Sequence, residues 1–235
     1  MILAAVVVAV IVAIVIVKFV PLKMRWLVSI LLLLASVFLG YKIYNGIMEP
    51  INFNIKKQIK YAKVIENLKI IRDAEIAHYE VSGNYTSNKT GLIQFIDTAQ
   101  FAITEARDTV IKVDRGGGIT EEVSRKKIDT IGYEPVLKRF ENLDYKNMFK
   151  VPGLEGKEFD LSIGLVEKVA GLKVPVFYAK TDKEAILKGM SPSLIKIEKE
   201  TIASDQIKGE FISVGSLDEV TTGGNWPPSY DKKDN

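Results

Sequence analysis

The chain has 235 residues, of which 47% are hydrophobic, a formal net charge of +3 and no cysteine. The lack of cysteine excludes disulfides, thiolate metal sites and a cysteine nucleophile. Lysines and acids alternate, so the sequence has no strong basic field and we expect no nucleic-acid partner.

The first 44 residues are almost entirely apolar and are interrupted by one short basic segment. A helix needs roughly 17 to 25 apolar residues to cross a bilayer. The sequence therefore predicts a transmembrane hairpin at residues 1–46, with spans at about 1–20 and 26–44 and membrane lipid as partner. Trp26 and Tyr44 are placed as interfacial anchors, and Pro21 ends the first helix. A cleaved signal peptide and a pair of buried core helices are the alternatives.

Basic residues give two opposing signals for orientation. Lys18, Lys23 and Arg25 lie in the loop between the spans and favour a cytoplasmic loop, with the following domain on the outer side. Lysines after the second span, which favour the opposite topology, are Lys42, Lys56, Lys57, Lys60 and Lys63. We expect an inner-membrane protein whose soluble domain is periplasmic.

Residues 47–82 are predicted to form a long amphipathic helix that projects from the membrane, with a kink or break at Glu49–Pro50. Apolar residues recur every three or four positions, and Gly83-Asn84 provides a stop signal. We expect this stripe to be an assembly surface; its candidate residues are Ile55, Ile59, Ala62, Ile65, Leu68 and Ile71.

Residues 83–226 alternate short helical and strand-like segments, and residues 227–235 are predicted to be a flexible tail. Helices are expected at 92–96, from Thr120, at 135–140, 181–189 and 191–203, the last with Pro192 at its first position. Strands are expected at 109–113, 147–151, 159–169, 173–179 and 211–216. This order predicts an α+β fold with a small, mainly antiparallel sheet.

No motif in the sequence predicts catalysis, a cofactor or a metal. His78 is the single histidine and lies on the long helix, where a structural role is the simpler interpretation. The Gly116–Gly118 triplet lacks the Lys-Ser/Thr of a phosphate-binding loop, and no Gly-x-Ser-x-Gly elbow occurs. Glu121 and Glu122 are adjacent and would not face each other on a helix or a strand.

Two resemblances follow from longer patterns. The helix around Ile71-Arg-Asp-Ala-Glu75, followed by Gly83-Asn-Tyr-Thr86, resembles the helix and post-helix turn of type IV pilins and pseudopilins. The closing Gly224-Asn-Trp226 resembles the end of some pilin-like domains. Pilins have one span and a Gly-Phe processing site, whereas this sequence predicts two spans and has no such site.

The sequence from the second span to Trp226 resembles uncharacterised envelope proteins of Bacteroidota. Its patterns include Ile43-Tyr-x-x-Ile-Met-Glu-Pro-Ile-x-Phe53, Tyr61-Ala-Lys-Val-Ile-Glu-x-Leu68 and Val214-Gly-Ser-Leu217. The resemblance implies a periplasmic domain. Asp-Thr-apolar triplets of the kind O-glycosylated in that phylum give Thr98, Thr109 and Thr130 as candidate acceptors.

The sequence thus favours a non-catalytic, membrane-anchored structural subunit of an envelope assembly. Pilin-like, secretion and motility machinery are all compatible with it, and its partners would be further copies or other envelope proteins. The alternative is a membrane-tethered periplasmic binding module for a small ligand, a glycan or a lipoprotein, with a concave apolar pocket.

Overall fold

The computed structural model describes residues 11–14, 18, 21–114, 116, 120–201, 203 and 205–231. Within it the chain divides into two compact units, Met1–Ile55 and Lys56–Asn235.

One helix, α1, runs over Arg25–Ser82 and follows a 3-10 turn at Leu22–Met24. Among the described residues, only α1 is long and apolar enough to cross a membrane; its apolar window has a mean hydropathy of 2.0, and none of it is buried. The predicted first span falls mostly outside the described residues, so a hairpin is not shown. Pro50 lies inside α1, which continues past it without a break.

In the second unit, α1 buries one face against the described residues of 83–231, which we call the head. Tyr61, Ile65, Leu68 and Ile71 are almost fully buried, at the three- and four-residue spacing of a helical stripe. The helix ends at Ser82, and Gly83 follows it with a φ of 78°, which glycine adopts without strain. The helical period and the stop signal of the sequence are thus confirmed.

The head contains a three-stranded sheet in the order β3-β4-β5, which we call the head sheet. Its strands are β3, Asp160–Glu167, β4, Lys173–Asp182, and β5, Phe211–Gly215, and both pairings are antiparallel. The head helices are α2, Lys89–Thr98, α3, Lys183–Ile186, and α4, Pro192–Lys199. Short 3-10 segments lie at Val136–Arg139, Tyr145–Asn147, Val169–Gly171 and Pro228–Tyr230. The fold is α+β with antiparallel sheets, as predicted.

A second sheet has two long strands, β1, Gln100–Asp114, and β2, Thr120–Pro135, which pair antiparallel. We call this hairpin the arm. The predicted helix start at Thr120 is wrong, because pairing with β1 overrides the helix preference of the charged residues in β2. The strand predicted at 147–151 is also absent; this apolar run follows the Tyr145–Asn147 turn as an irregular, buried segment.

The C-terminal segment closes the edge of β5. The Asn225 side chain accepts a hydrogen bond from the Ser213 N–H at 3.0 Å and donates to the Phe211 carbonyl at 2.9 Å. Gly215 has a φ of 75°, and a side chain there would collide with the Phe177 carbonyl. Gly215 of the Val214-Gly-Ser-Leu217 pattern and Asn225 of the Gly224-Asn-Trp226 pattern therefore both shape this edge of the head sheet. Residues 232–235 of the predicted tail lie outside the described residues.

Candidate functional site

The most strongly buried group of titratable side chains lies where α1 meets α4. Lys57 Nζ is 2.7 Å from Glu198 Oε2, Lys183 Nζ is 3.5 Å from Glu198 Oε1, and the Tyr61 hydroxyl donates to Glu198 Oε1 at 3.4 Å. We call these four residues the Glu198 cluster. Burial lowers the pKa of Lys183 against the opposing pull of the Glu198 carboxylate, and burial together with that carboxylate raises the pKa of Tyr61.

The Glu198 cluster is closed to solvent, and its contacts connect α1, α3 and α4. Lys183 is 0% exposed, and its ammonium also donates to the carbonyls of Glu198, at 3.0 Å, and Ile207, at 2.6 Å. A nucleophilic or base lysine needs access to substrate, which full burial denies to this one. Sequence reasoning missed the cluster because Lys57 and Glu198 are 141 positions apart.

A second buried acid, Glu75, lies on the same helix. Glu75 is 0% exposed. Its Oε2 atom accepts a hydrogen bond from the Thr86 N–H at 3.1 Å, and its Oε1 atom has no hydrogen-bond partner. Burial raises the pKa of Glu75 to about 7, and the Thr86 hydrogen bond opposes that rise. Glu75 thus holds the Gly83–Thr86 turn, and Tyr85 of this turn packs on Phe177 at a ring distance of 4.9 Å.

The other residues that the sequence analysis considered for catalysis or ligand binding are His78, the Glu121–Glu122 pair and the Gly116–Gly118 triplet. His78 Nδ1 is 2.7 Å from the Asn84 carbonyl oxygen, and its ring meets Phe95 edge to face at 4.8 Å. Glu122 is exposed in β2, 3.6 Å from Lys112, and the Gly116–Gly118 triplet is described only at its first residue. Among the described residues, no group of three His, Asp or Glu side chains is placed to hold a metal.

The structure divides the candidate stripe of α1 in two. Ile65, Leu68 and Ile71 are buried in the second unit by its own residues. Ile59 is 57% exposed and Ala62 is also exposed, while Ile55, in the first unit, is 53% exposed. Half of the predicted set is therefore covered by the chain itself and is closed to a partner.

The three candidate acceptor threonines are all exposed. Thr98 ends α2, and its hydroxyl donates to the Gln94 carbonyl at 2.8 Å. Thr109 lies in β1 and Thr130 in β2, opposite Arg125 and Thr104 respectively. Thr130 shares a face of the arm with Thr104, its partner in β1. Thr104 and Thr109 are five positions apart in a regular stretch of β1, and side chains alternate between the two faces of a strand. Thr109 and Thr130 therefore point to opposite faces of the arm.

The arm is an unpartnered surface in the described part of the chain that sequence reasoning did not foresee. Its strands pair only with each other in the described part of the chain, so each has one unpaired edge. Large apolar side chains along it are exposed by 44 to 68%, namely Ile103, Val110, Ile128, Ile131 and Tyr133. An isolated two-stranded hairpin is marginally stable in water, and unpaired strand edges readily accept another strand.

A shallow groove of about 490 Å³ lies beside α3 and α4. Its lining is mixed: Met190 and Ile195 are apolar, while Lys199 reaches Glu184 at 2.8 Å across it. The groove therefore combines apolar surface with charged groups.

Comparison of the chain with models of known protein families, with curated proteins and with solved structures found no match.

Proposed function

We propose that the chain is a non-catalytic structural subunit of a multi-protein envelope assembly. It is anchored in the inner membrane by its N-terminal apolar segment, and its head is periplasmic. Its partners are further copies of itself or other envelope proteins, in a pilin-like, secretion or motility machine.

The observation that carries this proposal is the arm. Each of its strands has 15 or 16 residues, about three times the usual length, and both have an unpaired edge in the described part of the chain. Monomeric proteins shorten, cover or bulge such edges to avoid unwanted pairing. Val110 and Ile128 are also exposed on one face of the arm, and exposed apolar side chains of this kind are typical of a surface that another chain covers.

Support for the anchor comes from the first unit. The apolar window of α1 is wholly exposed, although burying one Leu or Ile side chain is worth about 1.5 to 3 kcal/mol. A bilayer would cover this window. The resemblance to Bacteroidota envelope proteins and the exposed acceptor threonines support the periplasmic placement of the head.

The arm can be removed without disturbing its base. Residues 103–132 are replaced by Asn-Gly, which joins the paired residues Ala102 and Tyr133 by a two-residue hairpin turn. The intact chain, purified from native membranes in a mild detergent, should have the mass of an oligomer or a complex, and the shortened chain should be monomeric with an unchanged melting temperature of the head. An intact chain that is monomeric and carries no other protein would refute the proposal.

The acceptor threonines give a second test. Mass spectrometry of the protein from its native cells should find glycan on the peptides that contain Thr98, Thr109 and Thr130. Finding all three threonines unmodified would remove this support for the periplasmic placement.

A further inference from the structure

The charges of the arm are arranged in rows that cross the hairpin. Glu105 lies opposite Asp129, and two residues further along Arg107 lies opposite Lys127. Like charges directly opposite each other destabilise a strand pair. The ion pairs instead run along each strand, with Arg107 2.7 Å from Glu105 and Lys127 3.1 Å from Asp129. An acidic row thus lies beside a basic row on one face of the arm.

The two rows flank a common centre, the Ala106–Ile128 pair. Each strand therefore has an acidic residue on one side of a central apolar residue and a basic residue on the other side. Such a pattern is self-complementary under a two-fold rotation, because the acid of one copy then faces the base of the other. An isologous interface between two copies has this symmetry.

The edge of β1 suits such pairing over residues 100–112. With Ala106 opposite Ala106 of a second copy, Glu105 faces Arg107, and Val110 faces Ala102. The pairs between these positions, Asp108 with Thr104 and Thr109 with Ile103, contain no like charges. Residues 100–112 also include neither glycine nor proline, which would weaken or interrupt a strand ladder.

The edge of β2 is protected against the same pairing. In a two-fold register centred on Ile128, Glu122 of one copy would lie directly opposite Glu134 of the other. Ile131 has no partner in β1, because the register shifts there, and Gly132 follows it. Bulges and charges of this kind are the usual means by which edge strands are blocked.

We propose that β1 of the arm pairs antiparallel with β1 of a second copy, about a two-fold axis at Ala106. The two arms then form one four-stranded sheet, ordered β2-β1-β1-β2, in which the backbone groups of both β1 edges are hydrogen-bonded. Side chains stand out of the plane of a sheet, so a glycan on Thr109 leaves the edge free. This inference rests on the proposed function, since it names the partner and the register of the assembly surface.

The chain has no cysteine, so single cysteines report the register directly. In the full chain in native membranes, Ala106→Cys should give a disulfide-linked dimer on mild oxidation, because the paired Cα atoms lie about 4.5 to 5.5 Å apart. Val110→Cys is the matched control on the same face; it should give no dimer, since the two copies of residue 110 would be eight residues, or about 27 Å, apart. A mixture of Ala102→Cys and Val110→Cys chains should give the heterodimer.

Charge reversal tests the complementarity. Arg107→Glu places two carboxylates opposite each other at two symmetric positions and should weaken the dimer by about 30-fold or more. Exchanging both residues, Glu105→Arg with Arg107→Glu, should restore it. Arg125→Glu in β2 is the control and should leave dimerisation unchanged.

The outcomes separate the two proposals. A chain that has the mass of an oligomer but gives no Ala106→Cys dimer, or gives as much with Val110→Cys, overturns the register while the structural-subunit function stands. A chain that is monomeric and has no partner overturns both. The Ala106→Cys dimer, with its loss on Arg107→Glu and recovery on charge exchange, would establish the interface.

Discussion

Replacing Glu75 by Gln tests how the turn after α1 is held. The carboxyl is fully buried, and burial raises its pKa from an ordinary value near 4.5 to about 7. The folded protein therefore binds this proton more tightly than the unfolded chain does. The contribution of Glu75 to stability is largest below pH 4.5 and falls as the pH rises through 7, by about 1.4 kcal/mol for each pH unit between these values. The total loss is about 3 kcal/mol.

Gln keeps the acceptor for the Thr86 N–H and cannot ionise. At pH 8 Glu75→Gln should raise the stability by up to about 3 kcal/mol, or the melting temperature by about 6 to 12 °C for a unit of this size. At pH 4 the two proteins should agree within about 1 kcal/mol, because the neutral acid and the amide both bury a polar group with one unsatisfied end.

The assay is unfolding of the full chain in a mild detergent, followed by the fluorescence of Trp226, with Trp26 replaced by Phe. Trp226 is 7% exposed and reports the head alone. Glu80→Gln is the matched control, since Glu80 is on the same helix but exposed, beside Arg139. A difference in stability between wild type and Glu75→Gln that stays constant between pH 5 and 7.5 would contradict this prediction, as would destabilisation of Glu75→Gln at pH 8.

Three further predictions concern the head and its location. Gly215→Ala should cost about 3 kcal/mol or more in thermal unfolding, because its side chain meets a carbonyl, whereas Gly209→Ala, with the same positive φ but open space around it, should cost only about 1 kcal/mol. Glu198→Gln should destabilise the head by about 3 to 5 kcal/mol in denaturant titrations, because two buried lysines lose their carboxylate, while Glu200→Gln at an exposed site should have little effect. Val110→Cys in cells with a permeabilised outer membrane should react with a membrane-impermeant maleimide before lysis; reaction only after lysis would place the head in the cytoplasm.

Local signals in the sequence predicted local structure well. The helical stripe ending at Gly83, the Ser191-Pro192 helix start and the antiparallel strands at 173–179 and 211–216 are all present in the structure. Each depends on residues that are close in the chain, such as a cap, a turn glycine or an alternating apolar pattern.

The arm and the Glu198 cluster could not be predicted in the same way. β2 contains Arg125-Lys126-Lys127, whose residues favour helix when considered singly, and only the β1 register makes them a strand. Tertiary packing places Lys57 and Lys183 beside Glu198, which is 141 positions from Lys57 and 15 from Lys183. Nothing near these lysines in the sequence distinguishes them from surface lysines. The stripe residues Ile59 and Ile65 likewise belong to one sequence pattern, but only Ile65 is covered by the head.

We infer that the chain is a subunit that works only in association with other chains. The most direct test is the mass of the intact, native protein, extracted with its surrounding lipid and measured without cross-linking. We expect two or more copies of the chain, each of 26.2 kDa plus its attached glycan, or one such chain together with another envelope protein. A single chain with no companion, at the concentration found in the native membrane, would contradict the account.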